Sequence, residues 1–437
     1  MKLAFAAATA LLLTTPAHAA LSGAEKRMIA TVDAEQERSV ALLEKLVNQN
    51  SGTMNLAGVA KVGEMMRAEL EPLGFEVVWK PLPETKRAGH LIATHKGKPG
   101  TKRLLLIGHL DTVFEPDSPF QTFTRDGGKA TGPGIGDNKG GMVVMLSALR
   151  AMKDAGTLKD ANIEIVLTGD EERTGDPVEA ARADLVAAGK RADAALDFEG
   201  LSRIDGRDMG SIARRSSNSW QLRTTGKSGH SSGIFGANVG DGAVYELARI
   251  IAAFRAELPE PNLTFNVGLV TGGATAELDA DAVRATATGK PNIIPAIAIA
   301  RGDFRTLSDE QTQRVRAKMQ AIVAKSLPGT SATIAFDEGY PPMAPTEGNR
   351  ALLARLNGVN KDMGLPAMGE LDPAKRGAGD IAFVARDVDG LVGLGTASTG
   401  DHAPGETVDL TSIPKQAKRA AILMSRLSRE KSAKQAR

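Results

Sequence analysis

Histidine and carboxylate side chains that suit metal binding occur between residues 104 and 141. His109 and Asp111 end an apolar run, and Asp137 lies in the glycine-rich turn that follows. Imidazole nitrogen and carboxylate oxygen are good ligands for zinc and similar ions. Because alternate strand side chains share a face, both His109 and Asp111 could face one ion, although one is more often the ligand and the other its hydrogen-bonding partner. Alone, this stretch fits a metal site and a hydrogen-bonded strand end equally well.

Two later segments place acids directly after short apolar runs. Asp170, Glu171 and Glu172 follow one run, and their mutual repulsion is costly unless a cation neutralises it or water solvates the turn. Since successive residues point in different directions, we expect Glu171 and Glu172 to have different roles. Asp197 and Glu199 end the next run and offer a further ligand or an exposed strand end.

Histidines outside the first segment differ in what their surroundings indicate. His402 lies in the polar loop STGDHAPGE, which suits a ligand or catalytic group at least as well as an exposed one. His230 lies in GKSGHSS, far from the acids in sequence, and reaches them only if two domains face each other. His90 and His95 flank a short strand segment and are interpreted as structural or surface residues.

Length and composition indicate a globular protein of two domains. The chain has 437 residues, more than one hydrophobic core usually organises. Hydrophobic content of 42% and charged content of 24% are ordinary, and the net charge of +2 gives no reason to expect nucleic acid as a partner. The basic C-terminal end is interpreted as a solvated helix end. Without cysteine, any metal must be held by nitrogen and oxygen.

The first 20 residues resemble a secretory leader. Lys2 precedes an apolar stretch, and Ala17-His18-Ala19 forms a small-x-small cleavage site. The stretch is too short to remain as a membrane-spanning helix. We therefore expect residues 1–20 to be a signal peptide, the mature chain to begin near Ala20 without a membrane anchor, and the protein to be periplasmic or secreted.

Hydrophobic periodicity divides the mature chain into two kinds of structure. Residues 21–210 alternate strands and helices, with polar residues collected at strand ends, which is typical of an open α/β sheet. Residues 211–330 change to alternating strands and two amphipathic helices, and residues 331–437 return to the first pattern. The predicted fold class is α/β: a mixed-sheet catalytic domain with helices on both faces and an inserted α+β dimerisation or lid domain.

Six ordered segments resemble the M20 family of metallopeptidases, particularly its glutamate carboxypeptidase-like branch. These segments are GHLDTV, GPGIGDNKGG, GDEE, DFEG, GKSGHSS and DHAPGE, and the resemblance that they carry covers nearly all of the mature chain. The resemblance implies two zinc ions per chain, a homodimer, and hydrolysis by metal-activated water. One departure is the last segment, where His402 and the acid Glu406 fit the family pattern loosely.

Residue roles follow from the resemblance position by position. It implies that Asp137 bridges two zinc ions, that His109 and Glu199 complete one ion's ligands, and that Glu172 and His402 complete the other's. Catalytic or substrate-binding roles are implied for the orienting acid Asp111, the general base Glu171, the carbonyl-polarising His230, the carboxylate-binding Arg305 and its supporting Asn292. Spacing leaves Asp197 as an alternative to Glu199.

The hypothesis from the sequence is an exported carboxypeptidase that cleaves an amide bond next to a free C-terminal carboxylate. The expected substrate is a small peptide or an acylated amino acid. An N-acyl-amino-acid deacylase or a dipeptidase of the same family is the nearest alternative. A periplasmic solute-binding protein also fits the export, the length and the two domains, but it has no use for a base beside a metal ligand.

Overall fold

The computed structural model describes residues 21–434, and the predicted signal peptide lies outside them. These residues form ten α-helices: α1 (Gly23–Ala34), α2 (Gln36–Val47), α3 (Leu56–Leu70), α4 (Gly141–Asp154), α5 (Val178–Ala181), α6 (Ala183–Arg191), α7 (Ala243–Glu257), α8 (Asp309–Val323), α9 (Glu347–Asp362) and α10 (Ser412–Leu427). Side-chain caps begin several of them. Ser22 and Glu25 form a capping box at α1, and Ser308 caps α8.

The strands of residues 21–434 are β1 (Glu76–Leu82), β2 (Arg87–His95), β3 (Arg103–His109), β4 (Thr124–Asp126), β5 (Lys129–Thr131), β6 (Asn162–Thr168), β7 (Ala194–Asp197), β8 (Arg203–Ile204), β9 (Arg207–Gly210), β10 (Ser217–Gly226), β11 (Thr264–Gly273), β12 (Thr275–Leu278), β13 (Ala285–Thr288), β14 (Ile297–Arg305), β15 (Thr330–Tyr340), β16 (Gly369–Glu370), β17 (Gly390–Val392), β18 (Ser398–Thr399) and β19 (Thr407–Asp409).

The largest sheet has the order β1-β2-β6-β3-β7-β17. Strands β6, β3, β7 and β17 run parallel, whereas β1 and β2 are antiparallel to their neighbours. Alternate residues of β3 face opposite sides: Leu104 and Leu106 belong to the apolar cluster that includes α4 and α10, while Leu105 and Ile107 belong to the cluster that includes α6. Helices therefore cover both faces, as the predicted fold class requires.

A second domain is inserted between β9 and α9. Its antiparallel sheet has the order β11-β14-β10-β15, and α7 and α8 cover one face around Trp220, Phe254 and Phe304. We call this the lid domain. The sequence predicted that this domain ends at residue 330, whereas the last strand of its sheet runs from Thr330 to Tyr340.

Two linkers connect the lid domain to the large sheet. We call residues 211–216 the first linker and residues 341–346 the second linker. Arg214 and Met343 exchange two backbone hydrogen bonds of 2.9 Å, so the linkers pair with each other.

Within residues 21–434, no helix combines the length and apolar character needed to cross a membrane.

Candidate metal centre

Two histidines bind opposite oxygens of one carboxylate. Strand β3 ends at His109, whose Nε2 lies 2.9 Å from Asp137 Oδ1. The other oxygen, Oδ2, lies 3.1 Å from His402 Nε2. His402 has a φ of +65°, a conformation that residues other than glycine seldom adopt. Asp137 thus presents one oxygen to each histidine, which is the arrangement expected of a carboxylate that bridges two ions.

Glu172 joins the cluster from the end of the neighbouring strand β6. Its Oε2 lies 3.1 Å from His402 Nε2, and its Oε1 is buried without a hydrogen-bond partner among the described residues. One ligand atom each from His109, Asp137 and Glu172 lies within 4.8 Å of the others. Strands β3 and β6 are parallel neighbours with His109 opposite Thr168, so both strand ends deliver their side chains to one edge of the sheet.

Asp111 holds the backbone of the acidic pair. Its Oδ1 accepts the Glu171 N–H at 3.0 Å, and its Oδ2 accepts the Glu172 N–H at 3.1 Å and the Thr53 hydroxyl at 2.7 Å. Oδ1 also lies 3.5 Å from His109 Nδ1. The side chain is fully buried. Asp111 therefore contacts a histidine of the cluster and fixes the turn that carries Glu171 and Glu172.

Glu406 anchors the glycine-rich turn that carries Asp137. Its carboxylate is fully buried and accepts three backbone N–H groups, from Gly134 at 2.9 Å, Gly136 at 2.7 Å and Asp137 at 3.0 Å. The sequence showed an acid shortly after His402, but not this contact. The turn and the His402 loop are thereby held to each other.

Glu199 lies beside the cluster but is bound by two arginines. Its Oε2 accepts from Arg214 Nη1 at 2.5 Å and from Arg376 Nη2 at 3.0 Å. Asp197 Oδ1 accepts the Glu199 N–H at 3.1 Å, while its buried Oδ2 has no hydrogen-bond partner among the described residues and lies 3.8 Å from Arg214 Nη1. Sequence reasoning did not identify either arginine, because no local pattern links them to Glu199.

Burial and crowding of like charges shift the titration of the cluster. Burial raises the pKa of Glu172 to about 7 and also raises the pKa of Glu171. Hydrogen bonds to Asp137 and Glu172 raise the pKa of His402 to about 11. Burial alone would lower the pKa of His109, but Asp111 and Asp137 raise it above its usual value. Crowding of buried carboxylates makes the site electronegative, and a divalent cation would neutralise this charge.

The three predicted functional residues of the lid domain lie at two separate places. His230 and Asn292 are neighbours: Ser231 N–H donates to the Asn292 carbonyl at 2.9 Å, and the His230 ring is exposed. Arg305 ends β14, one residue before Thr306, whose carbonyl accepts the Ser216 N–H of the first linker at 2.8 Å. Strand β14 has nine residues, so its two ends are roughly 26 Å apart.

His90 and His95, which were interpreted from the sequence as structural or surface residues, form hydrogen bonds with the backbone. His90 is buried, with Nε2 at 2.7 Å from the Ala181 carbonyl and Nδ1 accepting the Gly169 N–H at 3.2 Å. His95 Nδ1 lies 2.9 Å from the Ala161 carbonyl. Both contacts tie the large sheet to neighbouring backbone.

A cavity of about 710 Å³ opens beside the cluster. Its lining includes Gly200, which follows Glu199, and Asp401, which precedes His402. Arg376, Lys375 and Ser398 also line it. Its volume is in the range of small-molecule sites. The cavity therefore lies next to the centre and is lined by sequence neighbours of Glu199 and His402.

The donor set fits a pair of divalent ions. It contains imidazole nitrogen and carboxylate oxygen, one carboxylate whose two oxygens face different histidines, and one buried carboxylate oxygen without a partner among residues 21–434. Such a cluster at the carboxyl ends of parallel strands is suited to metal-dependent hydrolysis.

Comparison with known proteins identifies the family. The chain belongs to peptidase family M20/M25/M40, whose family model matches residues 105–426. It is 28% identical to carboxypeptidase G2 of Pseudomonas sp. strain RS-16 over 400 residues, covering 89% of each chain. It is 25% identical to succinyl-diaminopimelate desuccinylase of Variovorax paradoxus strain S110, covering 86% of this chain and 94% of that one. The structure of aminopeptidase PepT from Bacillus cereus superposes with a TM-score of 0.70 and 19% identity, covering 90% of this chain and 99% of that chain, which supports the predicted fold.

Proposed function

We propose that this hydrolase is an exported dizinc carboxypeptidase that cleaves an amide bond next to a free C-terminal carboxylate. The observation that carries the proposal is Asp137, held between His109 and His402 by its two oxygens with Glu172 beside it. His109, Asp137, Glu172 and His402 would hold the metals, with Glu199 as the fifth ligand. Similarity to carboxypeptidase G2 supports the carboxypeptidase assignment.

Bound zinc would polarise the scissile carbonyl and lower the pKa of water. Glu171 is the general base: it takes a proton from the attacking water and gives it to the departing nitrogen. Burial raises the pKa of its carboxyl group, which suits a group that both accepts and returns a proton. His230 would donate a hydrogen bond to the oxygen on which negative charge develops.

Substrate carboxylate recognition falls to Arg305, whose planar guanidinium suits a bidentate carboxylate contact. It lies at the end of the lid domain next to the first linker, whose Arg214 contacts Glu199. His230 and Asn292 lie at the far end of β14, so they and Arg305 of one chain cannot bind the same small substrate. We therefore propose a homodimer in which the second copy supplies His230 and Asn292.

Export rests on the first 20 residues of the sequence. Expression of the full chain with its leader, followed by cell fractionation, should place the shortened protein outside the cytoplasm. Full-length protein that stays in the cytoplasm would contradict export.

Hydrolysis of dipeptides, N-acyl amino acids and C-terminal glutamate conjugates tests the function. Activity should need about two zinc ions per chain and should disappear with a chelator. Glu171→Gln should keep the metals and lose most of the activity, whereas full activity in this variant would refute the base assignment. Arg305→Ala should raise KM for substrates with a free carboxylate more than for their amides.

A second candidate is an N-acyl-amino-acid deacylase, which the similarity to a desuccinylase favours. Both reactions cleave an amide with the same groups, so the preferred substrate separates them. Faster hydrolysis of N-acyl amino acids than of peptides would favour the deacylase. A solute-binding protein would release no product from any compound.

A further inference from the structure

Tyr340, the last residue of the lid-domain sheet, contacts the backbone of the catalytic turn. Its hydroxyl donates to the Glu171 carbonyl at 2.7 Å. Tyr340 precedes the second linker, which pairs with the first through Arg214 and Met343. One residue at the domain boundary thus reaches the residue assigned as general base.

The direction of this hydrogen bond follows from its acceptor, because a carbonyl oxygen has no proton to donate. The phenol oxygen also accepts two hydrogen bonds. Arg182 Nη2 donates to the Tyr340 oxygen at 3.0 Å, and the Thr174 hydroxyl donates to it at 3.1 Å. A phenol oxygen accepts at most two hydrogen bonds and donates one. The phenol therefore donates to the Glu171 carbonyl while it accepts from Arg182 and Thr174.

Arg182 is itself held rigidly. It is fully buried, and its guanidinium donates to Asp170 Oδ1 at 2.6 Å, to the Asp170 carbonyl at 3.1 Å and to Asp380 Oδ1 at 2.8 Å. The Tyr340 ring packs edge-on against Phe383, with 5.0 Å between ring centres. These contacts set the phenol by charge and packing, independently of Glu171.

We propose that Tyr340 is a positioning residue for Glu171. The backbone of Glu171 is held on both sides: its N–H by Asp111 and its carbonyl by Tyr340. Fixing both peptide groups fixes the direction in which the side chain leaves the backbone, and so the carboxylate's position relative to the attacking water. The inference rests on the proposed function, because it takes Glu171 as the base.

Tyr340→Phe removes the hydroxyl and keeps the ring packed on Phe383. With the panel compound that the wild type hydrolyses fastest, kcat should fall roughly 10- to 100-fold, the loss that a displacement of about 1 Å produces. KM should stay within about twofold and zinc content should be unchanged. Because kcat is taken per folded, zinc-loaded chain, a lower yield of folded protein does not imitate the effect.

Thr174→Val is the matched control. It removes a hydrogen bond to the same phenol and one from Arg182, but leaves the bond from Tyr340 to Glu171. Its thermal stability should fall about as much as that of Tyr340→Phe, while its kcat should stay near the wild-type value. Equal losses of kcat in the two variants would overturn the proposal, because they would indicate general damage to the cluster.

A double-mutant cycle supplies the decisive readout. In a Glu171→Gln background, single-turnover rates should change less than about twofold when Tyr340→Phe is added, because Tyr340 acts through the missing base. A repeated 10- to 100-fold loss there would overturn the positioning role. If Glu171→Gln keeps only a small residual rate while Tyr340→Phe has wild-type kcat, the positioning role alone is wrong. If Glu171→Gln is fully active, the base assignment fails and the positioning role with it.

Discussion

Replacement of Asp111 by asparagine tests how the acidic turn is held. The Asp111 carboxylate accepts the N–H groups of Glu171 and Glu172 on different oxygens, at 3.0 and 3.1 Å. An asparagine amide has one acceptor oxygen, so in either orientation its NH₂ group faces one of these backbone N–H groups. A buried donor without an acceptor costs roughly 1–3 kcal/mol of unfolding free energy. If the NH₂ group takes the Oδ1 position, it also faces His109 Nδ1, 3.5 Å from that oxygen.

The expected result is a loss of both stability and activity. We expect kcat/KM and zinc affinity together to fall about 10- to 100-fold, as is typical when a group behind a metal ligand is changed. Denaturant titration measures the stability, and steady-state kinetics at fixed free zinc measure the activity. Asp154→Asn is the control, because Asp154 also accepts several hydrogen bonds, from Arg27 and Thr31, but lies on the surface. Wild-type kcat/KM and zinc affinity in Asp111→Asn would refute the reasoning.

Three further predictions concern the metals and the loops around them. Zinc should bind at least about tenfold more tightly at pH 8 than at pH 6, measured by competition with a chromophoric chelator. The pKa values of Glu172 (about 7) and His402 (about 11) are raised, so protons held to higher pH compete with the metal. Gly379→Ala should cost about 1–3 kcal/mol in denaturant titration, because its Cβ would fall 2.1 Å from an arginine nitrogen and 2.6 Å from a glutamate oxygen; Gly358→Ala, with nothing within 4 Å, should not destabilise the chain. Glu406→Ala should weaken zinc binding roughly 10- to 100-fold in the same chelator assay, and unchanged binding would show that the turn keeps its shape without this anchor.

The fold class could be predicted from the sequence, and so could the approach of those residues of the candidate centre that follow strands. Apolar runs ending in polar residues predicted a sheet with its chemistry at the strand ends, and His109 and Glu172 do lie at the ends of adjacent parallel strands. Parallel strands deliver their carboxyl ends to one edge, so local patterns suffice to predict that these residues approach each other. Asp137 and His402 could be assigned to the same site only through the family resemblance. Both lie in loops, which lack the periodicity that predicts where a side chain points.

The residues that sequence reasoning missed act across long separations in the chain. Glu406 contacts a turn about 270 residues earlier, and Tyr340 contacts Glu171 from 169 residues away. Such pairs leave no trace in composition or spacing, since each partner has an ordinary local role: an acid after a loop histidine, and an aromatic residue ending a strand. Only the folded structure shows that Tyr340 holds the turn after β6 and that Glu406 holds the glycine-rich turn. Both turns carry proposed functional groups on backbone that is held by side chains from distant segments, so the geometry of the metal centre depends on the packing of the whole chain and not on its motifs alone.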